Sequence, residues 1–205
     1  MKWFALPLCF ALPLFAQISF NAALTSDYVW RGVSQTDEAP ALQLGIDWKH
    51  DSGFYLGGWG SNVDFGDDTD YELDALLGYA NELDSGFSYD LGYVYYFFEG
   101  GSAVEFGEAY LALGYRLFSL TYARDLENDN GYIELGLSYT IAERWTFGGH
   151  YGDYQFDGGG DYQDYALFVT RAWGTLEASL TFTDTDLDGV PIADSRVFAT
   201  LAKTW

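Results

Sequence analysis

The residues best equipped for chemistry in this 205-residue chain are two histidines and a recurring set of carboxylates. Imidazole as a group has an unperturbed pKa near neutral, so His150 could serve as the general base of a lipid hydrolase. Such a site also needs a nucleophile and a group that orients the base. Ser138 is the candidate nucleophile, but no local signature joins the pair. A histidine hydrogen-bonded to polar neighbours is the simpler reading, and no catalytic residue is assigned. His50 falls in a predicted short turn. Asp184, Asp186, Asp188 and Gly189 form D-x-D-x-D-G. Calcium loops use this spacing because alternate carboxylates converge on one hard cation and the glycine permits the turn. Position twelve is Ser195 instead of a bidentate glutamate, and flanking helices are missing, so a solvated acidic loop is the simpler reading. Ca2+ is the one cofactor that any spacing suggests.

The remaining carboxylates make a different pattern. Asp27, Asp47, Glu72, Asp74, Asp90, Glu108, Glu134, Asp164 and Glu177 each sit on the polar side of a segment whose apolar residues alternate with period two. Arg31, Lys49, Arg116, Arg196 and His150 share those polar faces. Strict alternation is the signature of a strand with one apolar and one polar face. About twelve such strands run from residue 18 to residue 202, most near ten residues long, which suits a tilted strand crossing a bilayer. The first is predicted over residues 18–31, with Tyr28 and Trp30 on its apolar face. A soluble sandwich or lipocalin-like barrel is the competing architecture, but its dry core would not accept this many acids. The expected fold is an all-β, antiparallel, up-and-down transmembrane barrel whose polar faces line a wet lumen. The acid excess there favours cations.

Turns and ends support the barrel. Short connections at residues 50–53, 82–86, 117–118, 142–144 and 172–174 alternate with longer acidic ones at 32–40, 64–69, 99–104, 127–130, 156–160 and 186–193. Short periplasmic turns facing longer outer loops are the pattern of such barrels. Tyr28, Trp30, Trp48, Tyr71, Tyr79, Tyr139, Trp145 and Tyr165 fall near strand ends, as interfacial girdles require. Residues 1–16 carry Lys2 and then an uncharged apolar run, the form of a secretory signal cleaved after Ala16; residues 17–205 are the barrel domain. The single cysteine, Cys9, lies within that signal, so the remaining chain has no disulfide or thiolate chemistry. Val197, Ala199, Leu201 and the final Trp205 resemble the C-terminal assembly signal of outer-membrane barrels, with Lys203 departing from it. That signal implies periplasmic chaperones and the barrel-assembly machinery as partners, and outer-membrane lipid and lipopolysaccharide as surroundings. The formal charge of −22 repels phosphate backbones and argues against nucleic acid. No outward patch singles out an oligomer interface.

Residues 24–48 (LTSDYVWRGVSQTDEAPALQLGIDW) resemble the N-terminal hallmark of the TorF porin family, also known as the Gcw_chp family of uncharacterised bacterial proteins. The likeness continues through residues 53–66 (GFYLGGWGSNVDFG), 71–78 (YELDALLG), 90–97 (DLGYVYYF), 106–114 (FGEAYLALG) and 202–205 (AKTW). The resemblance implies an outer-membrane location in a Gram-negative bacterium and a porin-like role, with no established solute and no catalytic residues. Together these readings lead to a passive, narrow, cation-preferring channel for ions or small polar solutes. A non-conducting structural or surface-interaction barrel is the alternative, and a lipid hydrolase dependent on His150 is a more distant one.

Overall fold

The computed structural model describes residues 17–205, so the expected signal segment 1–16 lies outside the described residues. The strands are β1 (Gln17–Thr25), β2 (Val29–Trp30), β3 (Val33–Ser34), β4 (Ala41–Lys49), β5 (Phe54–Asn62), β6 (Thr69–Glu82) and β7 (Phe87–Gly100). They continue with β8 (Phe106–Tyr115), β9 (Phe118–Asp125), β10 (Gly131–Ile141), β11 (Trp145–Gln155), β12 (Tyr162–Trp173), β13 (Leu176–Thr185) and β14 (Arg196–Thr204). β1 and β4 to β14 close into one antiparallel barrel of twelve strands, each paired with its chain neighbour, and β1 seals the ring against β14. Closure satisfies every strand edge, which a bilayer demands because it offers no water to orphaned backbone groups. A 3-10 turn, Pro191–Ala193, interrupts the last long connection.

The alternation explains the two faces. Ile18, Phe20, Leu24, Leu42, Leu44 and Ile46 on β1 and β4 all point outward and are each about half exposed. Withdrawing one such side chain from water is worth roughly 1.5–3 kcal/mol. The same exposure recurs on the other strands, as at Leu91, Leu135, Leu167 and Leu180, so the outer surface is made for lipid. Aromatic rings flank this band: Trp145 and Trp173 stack with Arg171, whose guanidinium carbon lies 4.8 and 4.9 Å from their centroids. The inward positions carry Thr, Ser, Gly, Tyr and acids. Inward glycines make room for inward rings. A Cβ on Gly92 would strike the Tyr110 ring, and one on Gly78 would strike the Tyr55 hydroxyl.

Short turns connect β4–β5, β6–β7, β8–β9, β10–β11 and β12–β13 at one end, where Gln17 pairs with Lys49 and Phe20 exchanges backbone bonds with Trp205. The long connections gather at the other end. One expectation fails here. The first strand does not run to Arg31: β1 stops at Thr25, and the chain bends inward through residues 26–27. Residues 26–40 are therefore an inserted segment and not a strand end followed by a free outer loop. The bend breaks the period-two parity, so Tyr28 and Trp30 do not join a lipid girdle; Tyr28 is buried inside the barrel and Trp30 packs there.

Candidate functional site

The inserted segment carries a minimal hairpin. Val29 pairs with Ser34 and Trp30 with Val33, leaving Arg31 and Gly32 as a two-residue turn with φ of 48° and 82°. Positive φ at both central residues is the type I′ geometry that matches hairpin twist. Gly32 suits it, and a Cβ there would also collide with Asp164 and Thr185 on the wall. Arg31 does not suit it: a left-handed conformation costs a non-glycine residue roughly 1–2 kcal/mol. The contacts of its side chain offset that cost.

Those contacts cross the lumen. Arg31 donates through Nη1 and Nη2 to both oxygens of Glu108 on β8, at 2.8 and 2.7 Å. Its guanidinium lies 4.2 Å from the Trp30 and Tyr132 ring centroids and 5.2 Å from that of Tyr154. Tyr162 on β12 donates to the Arg31 carbonyl at 3.1 Å, and Tyr96 donates to Glu108. In the ring of strands β8 lies five places from β1, nearly opposite, so the tip of the segment is tied to the far wall. Its base is tied as well. Asp27 accepts from Ser34 Oγ at 2.6 Å, Thr36 Oγ1 at 3.2 Å and Arg196 Nη1 at 3.1 Å. Gln35 and Asp64 bond through their backbones beside a parallel bridge between Thr36 and Asp64. The rings of Tyr110, Tyr132, Tyr154 and Tyr162 form a cluster around the tip, with Trp30, Val33 and Leu187 against it.

A second polar group sits beside the tip. His150 bonds Asp164 through Nε2 at 2.7 Å, and its Nδ1 lies 4.0 Å from Glu134. The Tyr132 hydroxyl, with its one proton, lies 3.0 Å from an oxygen of Asp164 and 3.2 Å from one of Glu134. His150 faces Gly136 in the ladder, whereas Ser138 faces Gly148. The histidine is thus held by acids and tyrosines, and the register sets Ser138 opposite a glycine. A third group lines β6: Glu72 and Asp74 both point inward, 4% and 5% exposed. Nearer the short-turn end, Asp90 accepts from Tyr55, whose hydroxyl also meets that of Tyr110. Asp47 accepts from Asn21 at 3.1 Å, and Glu177 is half-buried on the inward side of β13.

Asp27, Arg31, Asp47, Glu72, Asp74, Asp90, Glu108, Glu134, His150, Asp164 and Glu177 thus all have inward places. Arg116 does not. It occupies the tight β8–β9 turn with φ 57°, exposed, its guanidinium 5.0 Å from the Tyr115 ring centroid. The polar parity of β8 ends at the turn, which carries residue 116 out of the lumen. Asp125 was not anticipated, because β9 is short. It is buried and accepts from the backbone of Glu127 and Asn128 at 2.9 Å each, which fastens the β9–β10 loop. In the D-x-D-x-D-G loop Asp184 accepts from Tyr165 at 2.8 Å and Asp186 from the Gln163 backbone at 2.7 Å. Asp188 lies in the turn beyond, and no three acidic, histidine or cysteine side chains converge as metal ligands among the described residues.

Burial is uneven along the lumen. Inward residues toward the long loops, including Asp74, Tyr96, Glu108, Tyr132 and Asp164, are buried around the inserted segment. Inward positions toward the short turns, such as Ser88, Gly114, Ser138 and Thr146, are half-buried, and Ser119 and Thr140 are exposed. The interior is lined by small, less buried polar residues toward the short turns and by a packed polar-aromatic cluster toward the long loops.

These features define a closed, lipid-facing antiparallel barrel narrowed by a segment of its own chain. The chain belongs to the Gcw_chp family, described as bacterial proteins of unknown function, whose model matches residues 15–205. No curated protein matches it. Among solved structures it is similar to the KdgM porin, with a TM-score of 0.64 at 11% identity over 92% of this chain and 97% of that one. It is similar also to the NanC porin, with a TM-score of 0.59 at 12% identity over 92% and 98%. At such identities the likeness is one of fold.

Proposed function

We propose that the protein is a narrow, passive, cation-preferring channel of a Gram-negative outer membrane, passing ions or small polar solutes. One observation carries this reading: a polar, acid-rich lumen whose inward side chains are less buried toward the short turns, crossed by an inserted, ion-paired segment. A barrel that served only as a surface would gain nothing from so many inward acids. Arg31, Lys49, Arg196 and His150 are outnumbered inside by carboxylates, and low-dielectric walls strengthen the resulting field. A KdgM structure contains disordered oligogalacturonate. That solute is a polyanion, and the acid excess here opposes one, so the proposed solute differs in charge. The same reading takes residues 1–16 as a cleaved export signal. Val197, Ala199, Leu201 and Trp205 are the signal read by periplasmic chaperones and the assembly machinery, and lipid and lipopolysaccharide surround the finished barrel. The resemblance to TorF porins agrees with this role.

A non-conducting barrel is the second reading, favoured by the packing of rings and hairpin in the loop-side half. Purified protein in planar bilayers separates the two. The expected result is a small conductance with a reversal potential set by the cation in a salt gradient. No current in the intact protein, and none after residues 29–34 are replaced by a short glycine-serine link, overturns the channel.

A further inference from the structure

The lumen already holds one organic cation, its own Arg31 guanidinium, in a cradle of aromatic rings and a carboxylate. Beside it lies a second cradle of the same make. Asp74 is flanked in the ladder by Trp59 on one side and Tyr96 on the other. Glu72, two residues along the same inward face, lies beside Tyr28, and the Tyr28 and Trp59 rings meet edge to face with centroids 5.4 Å apart. Yet no N–H or neutral hydroxyl among the described residues donates to Asp74, whose carboxyl meets that of Glu72, although the residue is only 5% exposed. Among the described residues no basic side chain lies between these two buried carboxylates; such a pair is costly, and removing one charge or supplying a cation relieves the cost. Arg31 is spent on Glu108.

We propose that Glu72 and Asp74, with the rings of Tyr28, Trp59 and Tyr96, form a lumenal binding site for an organic cation bearing N–H groups, a guanidinium or primary ammonium head. This rests on the channel reading and gives it a solute class. The Glu72–Asp74 pair calls for N–H donors, since a charge-assisted hydrogen bond from a cation is what it lacks. The rings add cation–π attraction, strongest for a desolvated cation on Trp. The two carboxylates without a third acidic, histidine or cysteine ligand do not suit a divalent metal, which wants a larger oxygen set.

The test uses the folded full barrel in detergent, with heat-modifiable gel migration as the folding check on each variant. Carbon-13-labelled guanidinium chloride at millimolar concentration is the probe, read by NMR line broadening. We expect broadening with the wild type and at least a fivefold loss in Asp74→Asn and in Glu72→Gln. Trp59→Phe, which keeps the ring packing, weakens it about twofold or more by removing the better cation–π face. Methylammonium competes and tetramethylammonium, which has no N–H, competes at least tenfold less well. In planar bilayers guanidinium lowers the potassium current of the wild type but not of Asp74→Asn. Equal broadening by wild type and both carboxylate variants overturns the site, as does a wild type that does not broaden guanidinium at all or equal competition by tetramethylammonium. Broadening without any current leaves the site standing and overturns the channel; current without broadening does the reverse.

Discussion

Replacing Arg31 by alanine tests the inserted segment most directly. The substitution leaves Glu108, 3% exposed by its side chain, without its bidentate partner. Breaking a buried pair by removing one member costs about 3–5 kcal/mol, because the remaining charge is stranded. The stacking of the guanidinium on Trp30 and Tyr132 is lost as well, at about 0.5–2 kcal/mol. Relief of the positive φ at residue 31 is small in comparison, since alanine is strained there too. Taking about 3 kcal/mol as the lower bound, the ratio of docked to undocked segment falls by about 150-fold. Hydrogen exchange of the backbone amides of residues 28–35 reads that ratio, because undocking frees the β2–β3 hairpin while the twelve barrel strands stay paired. The expected result is exchange at least a hundredfold faster over residues 28–35 and unchanged in β10 to β13. The double variant Arg31→Met with Glu108→Leu recovers most of the protection, since matched apolar groups replace a buried pair at little cost. Unchanged exchange in Arg31→Ala, or a double variant as labile as the single one, refutes the idea that the ion pair holds the segment across the lumen.

Three further outcomes follow from other features. Asp67, in the loop between β5 and β6, accepts from Ser102 Oγ at 2.7 Å, from Ser102 N at 3.0 Å and from Thr69 N at 2.8 Å. These bonds, chiefly that of the Ser102 hydroxyl, hold its carboxyl well below the usual carboxylate range. A depressed folded value means the tie between loops is fully present above the ordinary aspartate value of about 3.9 and is lost as pH falls through the lowered one. NMR titration shows Asp67 titrating below the other loop aspartates; Ser102→Ala raises its midpoint, and an ordinary midpoint in the wild type refutes the account. Gly92→Val drives a side chain into the Tyr110 ring and destabilises the barrel by about 1–3 kcal/mol, read as a lower urea midpoint in lipid vesicles. Leu135→Arg, at a 57% exposed outward position in the middle of β10, costs about 2–4 kcal/mol of insertion, whereas Ser138→Arg on the inward face of the same strand folds normally. Equal effects of the two arginines would mean that the faces are misassigned.

Much of the architecture was legible from local pattern. Period-two alternation in residues 131–141 places Ile133, Leu135, Leu137 and Tyr139 outward and Tyr132 and Glu134 inward, as the structure has them. The same parity applied to residues 18–31 fails from Ser26 onward. Alternation describes a strand only while the strand lasts, and Tyr28 and Trp30 are as compatible with a lipid girdle as with a packed lumen. A turn signal was present in Arg31-Gly32, but nothing local says that a hairpin of two-residue strands folds inward. Arg116 fails for a similar reason. It continues the polar parity of β8 by one residue past the point where the chain turns. Asp125 escaped notice because its strand is short and its partners, Glu127 and Asn128, are loop residues.

The sequence by itself determined the lipid-facing barrel class of fold, the strand number, the short-turn and long-loop ends, and the excess of acids over bases on the inward faces. Each is written in spacing and charge, which survive without knowing any distant contact. Only the tertiary structure decided which acids are neutralised and which are left over. Arg31 and Glu108 lie 77 residues apart, and their pairing depends on closing a ring in which β8 comes to face β1. That closure spends the buried guanidinium on Glu108, ties Asp27 to Arg196, and leaves buried Asp74 against Glu72 with no N–H donor among the described residues.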